Sequence, residues 1–110
     1  MEKSKLETYL GFCIRARKII FGTEMLTRQK KGVRLLLVDG DIGKNSLKLV
    51  LQAKESFACP LLETEKGALG ALLHRPAVKA AAVTDEHLAE AILALVGNNP
   101  QIKFYSGGNN

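Results

Sequence analysis

The run Val33-Arg34-Leu35-Leu36-Leu37-Val38, closed by Asp39-Gly40-Asp41, does most to limit the folds open to this chain. It is almost continuously apolar, as expected of a strand buried on both faces, whereas a strand with one wet face would alternate. Such a strand needs cover on two sides, and the flanking sequence supplies helical patterns in alternation with short strand-like runs. Leu6, Tyr9, Leu10, Cys13 and Ile14 recur as on one face of a helix. Ser4 stands at its N-cap position with Glu7 three residues on, the pattern of a capping box. Ile19-Ile20-Phe21, ended by Gly22, predicts a short strand, and a second helix is expected from about Thr23 to Lys31, closed by Gly32.

After the central run, Asp41 is placed to cap a third helix through Leu47, Val50 and Leu51. Cys59-Pro60-Leu61-Leu62 predicts a strand, and Thr64 opens a helix through Leu69, Leu72 and Leu73. Lys79 to Thr84 predicts another strand, and a last helix from Thr84 or Asp85 buries Leu88, Ala91, Ile92, Leu95 and Val96 before Gly97. Alternation of this kind predicts an α/β fold, a sheet with helices on both faces. A chain of 110 residues fits one domain, expected over residues 1–97. Residues 98–110 are expected to be a loosely ordered tail, although Ile102, Phe104 and Tyr105 also fit a short edge strand.

Charge is distributed unevenly over this frame. Residues 1–34 carry nine Lys/Arg against three acids, and residues 35–110 carry seven against eight. An imbalance this local points to one face aimed at an anion rather than to a generally basic protein. Arg15, Arg17 and Lys18 end the first predicted helix, and Arg28 and Lys31 end the second, where a helix dipole alone favours a cation or two. Between them Gly22-Thr23 reads as a helix mouth, whose outward N–H groups favour a negative partner. Glu24 would repel a phosphate at that mouth but can accept hydrogen bonds from a base edge, with the surrounding cations on phosphates.

Other chemistries find little purchase. Asp39 to Ser46 lacks the glycine and the hydroxyl residue that a phosphate-binding loop requires, and a calcium loop needs an oxygen ligand where Gly43 stands. Two isolated cysteines and two scattered histidines offer no metal-ligand spacing. No nucleophile and base arrangement stands out, so neither catalysis, a metal nor a cofactor is expected. The absence of a signal-peptide core or a long apolar run predicts a cytoplasmic protein without a membrane span.

In order and spacing, these features resemble the kink-turn RNA-binding ribosomal proteins, the archaeal ribosomal protein L-seven-Ae and its relatives, most of all the small bacterial YlxQ-type branch. The likeness is carried by Arg15-Ala16-Arg17-Lys18, by Gly22-Thr23-Glu24 opening a basic helix, and by Leu35-Leu36-Leu37-Val38 with Asp39-Gly40-Asp41. Lys66-Gly67-Ala68-Leu69-Gly70 and the stretch from His74-Arg75-Pro76 to Val83 complete it, over about residues 5–96. The resemblance implies a three-layer α/β/α sandwich, and the expected fold is such a sandwich around a central mixed four-stranded sheet.

It also implies an RNA site formed by the start of the second helix and the loop before the last strand. In the family a Gly and a small residue are followed by Asn, Glu and, three positions on, Lys; here the positions hold Gly22, Thr23, Glu24, Met25 and Arg28. Ala77 and Val78 match the family's apolar contacts to an extruded base, and Lys79 adds a charge. The expected RNA-binding set is therefore Arg15, Arg17, Lys18, Gly22, Thr23, Glu24, Arg28, Lys31, Lys44, Ala77, Val78 and Lys79. The expected partner is structured RNA, ribosomal or kink-turn-like, with ribosomal proteins as possible neighbours. The alternative is a protein-interaction scaffold that kept the fold and lost standard kink-turn recognition.

Overall fold

The computed structural model describes residues 4–106. Ser4 caps the first helix as its position predicts, its Oγ accepting the Glu7 N–H at 3.1 Å, and α1 runs over Lys5–Arg15. The Glu7 carboxylate does not turn back to complete a capping box but meets His74 Nε2 at 2.7 Å. There follow β1 (Ile19–Phe21), α2 (Thr23–Thr27), β2 (Leu35–Asp39), α3 (Lys44–Phe57) and β3 (Leu61–Thr64). The chain continues with α4 (Ala68–Leu73), β4 (Ala80–Val83), α5 (Glu86–Leu93) and β5 (Ile102–Phe104).

The strands form one mixed sheet in the order β1-β4-β2-β3-β5, with β2 and β3 parallel and the other pairs antiparallel. The apolar run that dominates the sequence is indeed the middle strand, buried at all five positions of β2. Side chains alternate across a strand, so this one run builds two cores. Leu35 and Leu37 pack with Leu6 and Leu10 of α1, Leu69 and Leu73 of α4 and Ile92 of α5. Leu36 and Val38 pack with Leu26 of α2 and Val50 of α3. Helices therefore cover both faces of the sheet.

The sheet has five strands, not the four expected. The fifth comes from the stretch assigned to a loose tail: Ile102 is 4% exposed and pairs with Thr64, and the Tyr105 N–H donates to Leu61 O at 2.9 Å. Without that strand the polar backbone edge of β3 would be left unpaired. The expectation of a loose tail is thus corrected over residues 102–105, while 107–110 lie outside the described residues.

Helix starts and stops also move. α2 stops at Thr27, four residues before Lys31, where the Thr27 hydroxyl donates to Glu24 O at 2.8 Å. Hydroxyls that bond back to the helix offer its backbone a competing partner. Asp41 does not cap α3; Gly43 does, and the Asp41 N–H is used by Asp39 Oδ2 at 2.9 Å. Thr64 stays in β3, its hydroxyl 3.3 Å from Asp39 Oδ1, so α4 opens only at Ala68. Asp85 does cap α5, accepting the Leu88 N–H at 2.8 Å, but the regular helix ends at Leu93.

Candidate nucleic-acid interface

Strand direction decides which of the predicted site residues meet. β1 runs antiparallel to β4, with Phe21 opposite Ala81, and the Gly22 N–H donates to Ala80 O at 2.8 Å. β2 is antiparallel to β4 on its other side, and the Asp39 N–H donates to Lys79 O at 2.9 Å. The start of α2 and the loop before β4 therefore share one end of the sheet. They line a single groove of about 300 Å³, with Phe21, Gly22 and Thr23 on one wall and Ala77, Val78 and Lys79 on the other. Ile42 and Ser46, at the start of α3, close it.

Both walls are fixed by local geometry. Gly22 has φ 86° and ψ 152°, a region open in practice only to glycine, and this turns the chain directly from β1 into α2. The opposite wall leaves α4 through His74 at φ 58°, tethered by Glu7, and the Arg75 N–H then donates to Gly70 O at 2.8 Å. The Val78 N–H donates to Arg75 O at 3.0 Å, closing a turn that presents Val78 half-buried. Gly70 is needed here because a Cβ would stand 2.9 Å from the carbonyl oxygens of both Arg75 and Pro76. The Arg75 guanidinium lies 4.6 Å above the Phe21 ring, linking one wall to the other. Arg75 was missing from the sequence-derived set; its only signal was a cation inside the loop matched for its apolar residues.

Facing Lys79 of the groove wall is a buried carboxylate that the sequence did not single out. Asp39 has no exposed surface. Its Oδ2 accepts the N–H groups of Asp41 and Gly67, each at 2.9 Å, and its Oδ1 that of Leu69 at 3.1 Å. Burial pushes this carboxyl up, but the three N–H donors and the Lys79 ammonium outweigh it and hold it below its ordinary value. Lys79 Nζ stands 3.8 Å from Asp39 and 3.6 Å from Asp41, so its charge is largely balanced where it meets the groove.

The remaining cations separate into two groups. Arg28 pairs with Glu24 at 3.6 Å on the open surface of α2, beside Met25, which is 51% exposed. Lys44 is the exposed first residue of α3, two positions from Ser46 at the groove. Arg17 and Lys18 lie at the opposite end of β1: the Thr84 N–H donates to Lys18 O at 2.9 Å, beyond the far end of β4. Arg15 precedes them, stacked 5.0 Å over Phe12. Lys31 lies on the connection that returns from α2 to β2, and hence toward that same end. The sequence expectation of two cation clusters flanking one helix mouth is corrected accordingly. With α2 only five residues long, the mouth itself also carries little dipole.

Cys13 and Cys59 are free and buried; burial, with Asp85 adding to it, pushes Cys13 up to about 11, and burial raises Cys59. Neither thiol has the accessible thiolate of a reactive cysteine. Among the described residues no group of three or more His, Cys, Asp or Glu could hold a metal ion, and no helix is long and apolar enough to cross a membrane.

No family model and no curated protein matches the chain. A solved structure of a protein with unknown function from Bacillus halodurans is similar to it in fold. The two share 22% sequence identity with a TM-score of 0.71, over 84% of this chain and 97% of that one.

Proposed function

We propose that this chain is a non-catalytic RNA-binding protein that engages structured RNA, ribosomal or kink-turn-like, at the groove between the start of α2 and the loop before β4. The observation that carries this reading is the meeting of Gly22-Thr23 with Ala77-Val78-Lys79 in one groove, from segments some fifty residues apart. Val78 and Ala77 offer an apolar flank to an unstacked base, and Thr23 and Glu24 offer hydrogen-bonding groups to its edge. Glu24 is free to do so, since an exposed ion pair such as Glu24–Arg28 is worth only ~0.3–0.5 kcal/mol. Arg28 and Lys44 are placed to meet phosphates beside that base.

Glu24 and Met25 differ in type from the Asn and Glu of the kink-turn family, so the base-edge contacts made here differ too. The exposed Met25 supports a second reading, a protein-interaction scaffold. Filter binding with a kink-turn hairpin and with ribosomal RNA separates the two. We expect retention of at least one, weakened tenfold or more by Val78→Asp when compared below the variant's unfolding transition, in keeping with the ~1–3 kcal/mol of a base contact. Val78 also packs on the core, so the variant should melt lower than the parent. A protein that retains neither RNA, or a Val78→Asp variant that binds like the parent, overturns the proposal in favour of the scaffold.

A further inference from the structure

We infer that the far end of the sheet is a second RNA-contacting surface, in which Arg17, Lys18, Lys30, Lys31 and Arg34 grip the sugar-phosphate backbone of a base-paired stem. The inference rests on the RNA reading above but places a separate contact at a separate surface. Lys18 and Gly22 bracket the three-residue strand β1, so they stand roughly 13 Å apart at the usual rise of an extended chain. On the other side of β4, the Arg34 N–H donates to Val83 O at 2.8 Å while Lys18 O accepts from Thr84. Lys18 and Arg34 thus flank the end of one strand, about 10 Å apart by ordinary strand spacing. Lys30 and Lys31 precede Arg34 on the same connection.

Charge state distinguishes this block from the groove. Two cations at the groove are held within the protein, Lys79 by Asp39 and Asp41 and Arg75 by the Phe21 ring. Arg28 keeps only its weak exposed pair with Glu24, which leaves Lys44 as the cation there with no carboxylate partner among the described residues. Arg17, Lys18, Lys30, Lys31 and Arg34 are all exposed, and among the described residues none has a carboxylate within 4.0 Å. Asp85 and Glu86 follow Thr84, whose N–H donates to Lys18 O, and the Asp85 carboxylate accepts the Leu88 N–H. Five unpaired cations in one area seek an external polyanion.

Three residues of the block are held by backbone bonds, Arg34 by its bond to Val83 O. The Arg17 and Lys18 N–H groups donate to Ile14 O and Cys13 O at 3.1 and 2.8 Å, with Arg17 locked at φ 59°. None of the five residues is aromatic, and the exposed Phe12 ring beside them already carries the Arg15 guanidinium at 5.0 Å, so the block offers charge rather than an open aromatic platform. Cations without base readers position a duplex through its phosphates and carry no sequence information.

A 20-bp RNA duplex without a bulge is the direct probe, titrated by filter binding between about 25 and 200 mM KCl. The parent is expected to bind it weakly, with a steep log–log salt dependence. In Arg17→Ala/Lys18→Ala/Arg34→Ala the slope should shrink by roughly 2, and affinity at low salt should fall at least tenfold. Lys30→Ala/Lys31→Ala, in an exposed connection, should reduce it by a further 1 or so. Val78→Asp should leave duplex binding within twofold while losing the kink-turn hairpin or ribosomal RNA. A triple variant with the parent's duplex slope, or a parent that ignores the duplex, overturns the inference even if the groove binds RNA. Duplex binding that needs the block while Val78→Asp changes nothing on any RNA leaves the block standing and removes the groove.

Discussion

Asp39 shows how one residue ties the fold to the candidate site. It ends the central strand, and its carboxylate collects N–H groups from its own turn and from the β3–α4 connection while facing Lys79 of the groove wall. Asp39→Ala would leave three N–H donors and an ammonium without their acceptor, a loss expected to cost about 3–5 kcal/mol. Asp39→Asn keeps the shape but opposes an NH₂ group to N–H donors, so it should also destabilise, by somewhat less. The folded carboxyl is held below its ordinary value, so its stabilisation is complete above the unfolded value, near 4, and is lost as pH falls through the folded one. Chemical unfolding followed from pH 6 to pH 3 should therefore show a steeper loss for the parent than for Asp39→Asn. Parallel pH profiles would show that the carboxylate does not hold the turn. The sequence displayed this residue only as part of Asp-Gly-Asp; apart from the Asp41 N–H, what it bonds to lies 25 to 40 positions away.

At the level of elements, the legible features were those set by local pattern. The Ser4 and Asp85 caps, the strand Ile19–Phe21 and the helical stripe of α1 each follow from a few neighbouring residues and stand where periodicity put them. Ends that depend on tertiary contacts were not legible: Thr64 stays in β3 with its hydroxyl on Asp39, 25 residues away, and Asp41 is held in the Asp39 turn while α3 begins after Gly43. The loop before β4 is the element on which the proposed site depends most, and its weak point is Gly70. In Gly70→Ala the new Cβ must displace the Arg75 and Pro76 carbonyls, which are backbone and cannot rotate away. We expect a loss of about 1–3 kcal/mol of stability from this overpacking. We also expect RNA affinity to fall at least as far as in Val78→Asp, because Val78 is carried by the same turn. Unfolding and filter binding on one preparation would decide it, and parent-like affinity would show that the groove tolerates a displaced wall.

Over the whole molecule, alternation foretold helices on both faces, and the one continuous apolar strand foretold the centre of the sheet. The strand count was missed because the alternation of Ile102, Phe104 and Tyr105, although it fits an edge strand, is too short to decide against a tail; β5 exists because the edge of β3 accepts it. Charge was misread for a related reason. Cations adjacent in sequence around β1 are parted by the length of that strand, and only strand direction tells which end each occupies. The sheet order gives a test of this partition. β5 is the edge farthest from β1, so ending the chain at Asn98 removes a structural edge and leaves both proposed RNA surfaces in place. Losing buried Ile102 alone should cost roughly 2–3 kcal/mol, and the unpaired ladder adds to that. The melting midpoint should then drop by about 10 °C or more. The bared β3 edge should also promote association, visible by size-exclusion chromatography. Below its transition the shortened protein should still bind the kink-turn hairpin or ribosomal RNA, and the plain duplex, within a few-fold of the parent. An unchanged midpoint would mean that β5 adds nothing to the sheet. Loss of RNA binding in a protein that is still folded would mean that the groove and the block depend on the edge opposite to them.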